Sequence, residues 1–108
     1  MSQKGKYPCA GDPRISALAE DLRLISDPIR LRIICLLSKG ERRVSEIVRD
    51  LGVSQQLASH HLNALRSKGV LLVRKEKTSS YYGVAPKRLK QINQIFHEYL
   101  DYRKLGDF

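Results

Sequence analysis

The amino-acid sequence predicts a mainly helical domain carrying one β-hairpin, in the order ααααββα. Three observations carry that expectation. Residues 44–69 read as a helix, a three-residue turn and a second helix with two opposite faces. Residues 70–84 then change to strand chemistry, and from Pro86 the apolar residues return to a helical period.

The elements follow in chain order. Residues 1–13 hold Gly5, Pro8, Gly11 and Pro13 without any period and are expected to form a loose N-terminal arm, with 14–105 as the folded domain. Ile15, Leu18, Ala19, Leu22 and Ile25 recur at a helical period and give a first helix. Asp27-Pro28 starts a second, because Asp is a good N-cap and Pro suits the first helical position. That helix is expected to turn Leu31, Ile34, Cys35 and Leu37 inward and to end at Lys39-Gly40. The third spans 44–51 with Val44, Ile47, Val48 and Leu51 inward, and Gly52 supplies the left-handed residue of a tight turn. Ser54 caps the fourth helix and Gly69 ends it. Residues 70–75 and 80–84 read as strands around a basic tip at 76–79, with the turn type left open. The last helix aligns Leu89, Ile92, Ile95, Phe96, Tyr99 and Leu100 in one stripe. This is the order of a winged helix-turn-helix.

The fourth helix is the most informative element. Leu57, Ala58, His61, Leu62 and Leu65 fall in one arc and are expected to dock on a core. Gln55, Gln56, Ser59, His60, Asn63 and Arg66 fall in the other. An ordinary solvated face carries Glu and Lys, yet no acid occurs between Leu51 and Glu76. Amides that donate and accept at once match the base edges of a major groove. Ser54, Gln55, Gln56, Ser59, His60 and Asn63 are therefore the candidates for reading DNA.

Charge supports a polyanionic partner. Of the formal net charge of +9, the stretch from Arg66 to Lys90 carries +7, with eight Lys or Arg against one acid. Arg66, Lys68, Arg74, Lys75, Lys77, Thr78 and Ser79 are candidates for phosphates or the minor groove. A membrane is not expected as a partner, since no run approaches the ~20 apolar residues of a span and the block lacks an apolar amphipathic face. The N-terminus shows no signal peptide, and the chain's two Cys read as reduced thiols, so a cytoplasmic protein is expected. Nothing in the spacing marks a nucleophile, a phosphate loop or a carboxylate pair, and no enzyme or cofactor is expected.

The segments SDPIRLRIICLL (26–37), VSEIVRDLGVSQQLASHHLNALRSKGVL (44–71) and YYGV (81–84) resemble the ArsR/SmtB family of bacterial and archaeal winged-helix repressors, over roughly residues 15–103. The resemblance implies a homodimer joined through its first and last helices, bound to an inverted-repeat operator and released by an inducer. The apolar stripes of those helices agree with this, and Leu18, Leu22, Ile92, Phe96 and Tyr99 are expected at the interface.

It also implies three places for a sensor. The metalloid thiolates of relatives fall here on Arg43-Val44-Ser45, and of the zinc ligands of the last helix only His97 and Glu98 remain, so no metal site is expected. A sulfide- and oxidant-sensing branch uses a Cys pair. Cys35 occupies one position, Asp101 the other, and Cys9 is a substitute partner. Cys35 reads first as a small buried hydrophobe, the commoner role of a free thiol, and second as a sensor. The adjacent His60 and His61 cannot easily chelate one ion, and His61 is expected to be a hydrogen-bonded core residue. The reading from another class is a winged-helix protein-interaction module without an operator. Its wing should be apolar or mixed, where this one is basic.

Overall fold

The computed structural model describes residues 8–100, with side chains from residue 10 to residue 98. Residues 8–11, expected within the loose arm, form a 3-10 turn at Pro8–Gly11. The helices are α1 (Pro13–Ile25), α2 (Pro28–Leu37), α3 (Val44–Leu51), α4 (Gln55–Ser67) and α5 (Pro86–Leu100). The strands are β1 (Arg42–Arg43), β2 (Leu71–Glu76) and β3 (Ser79–Val84), in the spatial order β1-β3-β2.

The helix starts follow from local chemistry. Asp27 Oδ1 accepts the backbone N–H groups of Ile29 and Arg30 at 2.8 and 3.2 Å, and Pro28 stands at the first helical position. Ser54 Oγ accepts the N–H of Leu57 at 3.1 Å and starts α4. Gly52 takes φ 65° between α3 and α4, and Gly69 takes φ 75° beyond α4. At the start of α3 the N–H of Arg43 donates to Glu46 Oε1 at 2.9 Å, a cap supplied from inside the helix.

The core gathers Ile33, Leu37, Ile47, Leu62, Leu65, Val70 and Leu71, contributed by α2, α3, α4 and the root of the wing. Two expectations about inward faces need correction. On α2 the buried residues are Ile33 and Leu37, whereas Leu31 and Cys35 are exposed. Apolar residues run almost unbroken from Leu31 to Leu37, so period alone cannot choose the face. On α4, Leu57 is 38% exposed: the buried arc centres on Ala58, His61, Leu62 and Leu65, and Leu57 falls at its margin.

The sheet also has one strand more than expected. Arg42 and Arg43 pair antiparallel with Tyr82 and Tyr81, and two charged residues carry no strand signal. The hairpin itself runs from Leu71↔Val84 to Glu76↔Ser79, which leaves only Lys77 and Thr78 in the turn. Lys77 takes φ 56°, the left-handed conformation required at the first position of so tight a turn.

The helix α1 lies on α5. Arg14 pairs with Glu98 at 3.0 Å, and Arg88 holds Asp21 through two bonds of 2.6 and 3.0 Å. Leu18 and Ile92 are buried within the chain, so they help close its own core and offer a partner little surface. This corrects their expected place at a dimer interface. Of the same stripe, Leu22 is half-buried and Phe96 is 38% exposed. The side chain of Tyr99 lies outside the described residues.

Candidate nucleic-acid interface

Successive residues of a helix turn by about 100°, so burial of Ala58, His61, Leu62 and Leu65 fixes the opposite face. Gln56, His60 and Asn63 stand at the centre of that outward face and are exposed, with Gln55, Ser59 and Arg66 along one margin. Ser54 is exposed too, but its hydroxyl oxygen is engaged as the helix cap. The rings of His60 and His61 meet edge to face with centroids 5.1 Å apart, the first outside and the second inside.

The wing extends this surface. Side chains alternate along β2 and β3, so Val73, Lys75, Ser80 and Tyr82 share one face. With Asn63 and Arg66 of α4 they line a cleft of about 360 Å³. Two cations thus flank a trough beside the polar face of the helix, and among the described residues neither has an ion-pair partner. Lys77 and Thr78 form the exposed tip beyond it, with Ser79 at the start of β3.

Arg74 belongs to the opposite face. Its guanidinium is bonded to Glu41 at 3.0 Å and Glu76 at 2.6 Å, and it lies over the ring of Tyr81, 4.7 Å from the centroid. These two carboxylates stabilise its charged form. Arg74 thus lies on the face of the wing away from the trough. Lys68 is displaced as well: it ends α4 beside a second cleft with Asp21, Leu24 and Arg88, and its carbonyl accepts from Arg88 Nε at 3.3 Å. The basic block therefore divides. Arg66 and Lys75 line the trough and Lys77 stands at the tip beyond it, while Arg74 and Arg88 pair with acids distant in the sequence.

No group of three or more His, Cys, Asp or Glu able to hold a metal ion occurs among the described residues. Cys35 is exposed on α2, with the hydroxyl of Ser38 donating to its backbone carbonyl at 2.6 Å. The reading of Cys35 as a buried hydrophobe is therefore corrected. The side chain of Cys9, and all of Asp101, lie outside the described residues. No described helix is long and apolar enough to cross a membrane.

A turn-linked helix pair with an uncharged polar outer face, flanked by a β-wing across a basic trough, is the architecture of a winged helix-turn-helix DNA-binding protein. Residues 27–73 match the model of the bacterial regulatory protein arsR family. A Methanocaldococcus jannaschii protein described as an uncharacterised HTH-type transcriptional regulator is 37% identical over 81 residues, which cover 74% of this chain and 91% of that protein. The arsenical resistance operon repressor of Staphylococcus xylosus is 33% identical over 85 residues, covering 79% and 71% of the two chains. The crystal structure of the transcriptional repressor BigR from Xylella fastidiosa is similar with a TM-score of 0.65 at 28% identity, over 80% of this chain and 89% of that one. The chain belongs to the ArsR family of DNA-binding transcriptional regulators, which are not enzymes.

Proposed function

We propose that this protein is a homodimeric transcriptional repressor that reads an inverted-repeat operator in the cytoplasm. The observation that carries the reading is the continuity of the Gln56–His60–Asn63 face with the trough flanked by Arg66 and Lys75. The direction of regulation is supported by relatives that are themselves named repressors. Two recognition helices about 34 Å apart reach successive major grooves on one side of the duplex. Selection from a random duplex library tests this reading: an enriched inverted repeat is expected, and a library that yields no preferred sequence at any salt concentration overturns it.

The dimer would form on the outer side of α1 and α5, where Leu22 and Phe96 remain after Leu18 and Ile92 are used internally. An isologous interface counts each substitution twice. Phe96→Asp is expected to raise the dimer dissociation constant about 100-fold or more and to weaken operator binding without touching the reading face. Sedimentation velocity checks it, and a wild-type chain that stays monomeric at micromolar concentration sinks the dimer.

Gating through a thiol is the finer part of the proposal. Exposure of Cys35 supports it, since a sensor thiol must be reached by its oxidant. Peroxide is expected to release operator from the wild type and from Cys9→Ser but not from Cys35→Ser. Equal release from all three removes Cys35 from the mechanism.

A further inference from the structure

A part-buried polar network centred on a buried histidine ties the recognition helix to the first two helices, and contact with DNA does not account for it. His61, 6% exposed, lies on the core side of α4. Arg30 Nε donates to its Nδ1 at 2.9 Å, and Arg30 Nη1 donates to the carbonyl of Leu24 at 3.0 Å. On the other side of the imidazole, Asp27 Oδ1 lies 3.8 Å from Nε2 while it caps α2. One guanidinium thereby joins the end of α1, the first turn of α2 and the middle of α4.

The chemistry of these groups fixes the state of the ring. A guanidinium only donates, so the bond requires a lone pair on Nδ1. His61 must then be neutral, with its proton on Nε2 facing Asp27. A second proton on Nδ1 would set two donors against each other and bring two cations together at a part-buried contact. The charged and titratable groups that face the ring are Asp27 and Arg30 from α2 and His60 from α4, while α1 presents the Leu24 carbonyl to the same guanidinium.

We infer that Arg30 and His61 form a latch that sets the recognition helix against α1 and α2, and that protonation of His61 opens it, releasing DNA as the pH falls. The inference rests on α4 being the DNA-reading helix. Burial pushes the His61 pKa below its ordinary value, Asp27 opposes this, and Arg30 and His60 add to it. The stabilisation is therefore complete above the ordinary histidine value of 6.5 and is lost as the pH falls through the lower folded value.

The test is operator affinity between pH 8 and pH 5 at fixed salt, for wild type and His61→Asn. Asn offers Oδ1 close to where His offers Nδ1 and does not titrate. Wild type is expected to lose about tenfold in affinity per subunit, and so up to about a hundredfold for the dimer, for each pH unit once His61 protonates. His61→Asn should bind as tightly at pH 8 and lose far less in acid. An acid profile of His61→Asn that superimposes on that of wild type overturns the latch. Two measurements need no DNA. Imidazole nitrogen chemical shifts of the wild type near pH 7.5 should show the lone pair on Nδ1, and a proton there overturns the latch even if the Asn variant fails to fold. The thermal midpoint should fall between pH 7.5 and 5.5 in wild type and stay nearly level in His61→Asn. A chain that selects no operator at any pH refutes the operator reading, and these two arms still decide the latch.

Discussion

Replacing Leu62 with Ala is expected to lower the folding free energy by about 2–5 kcal/mol. Leu62 is fully buried on the inner face of α4 and belongs to the cluster that joins α2, α3, α4 and the wing root. The loss combines the transfer free energy of the deleted methyl groups with the cavity left among neighbours that cannot all move in. Domains of this size are stable by about 5–15 kcal/mol, so a large share of the total is removed. Urea unfolding should show a lower midpoint with an unchanged slope. A change under about 1 kcal/mol would mean that this cluster is not the core.

The second large effect separates base reading from phosphate holding. Gln56→Ala removes an amide at the centre of the outward face of α4, and discrimination between operator and random DNA is expected to fall by about 1–3 kcal/mol in each half-site. Lys75→Ala removes a cation of the trough. It should weaken every sequence about equally and lower the salt dependence by roughly one ion per subunit. Arg74→Ala is the internal contrast, because its guanidinium already satisfies Glu41 and Glu76 and faces away. A salt titration of all three variants is the measurement. If Arg74→Ala matches Lys75→Ala in slope, the assignment of wing faces is wrong.

That contrast also shows what the sequence could and could not reveal. The caps Asp27 and Ser54, the left-handed Gly52 and the alternation of the hairpin are set by neighbouring residues, so they were legible along the chain. The outward face of α4 was legible for the same reason, since one helical period decides it. Pairing across space was not. Glu41 reaches Arg74 over 33 residues, Arg30 reaches His61 over 31, and Asp21 reaches Arg88 over 67. A count of basic residues cannot see which of them will be neutralised. His61 was expected to find a hydrogen bond, but only the packing of α2 on α4 names Arg30 as the donor. Leu18 and Ile92 belong to stripes that period alone cannot assign to the chain's own core or to a partner.

The short strand β1 has a consequence for the energetics of association. Its two pairs with Tyr81 and Tyr82 fasten the middle of the hairpin to the residues that begin α3, and Arg74 adds a clasp to Glu41 just before them. A free two-stranded ribbon is marginal in water and would have to be immobilised by the nucleic acid. Here most of the ordering entropy is already spent during folding, so little of it is charged against the encounter with the duplex. The heat-capacity change of operator binding should therefore reflect only the surface that meets the duplex, with no added contribution from a hairpin folding against the body of the protein.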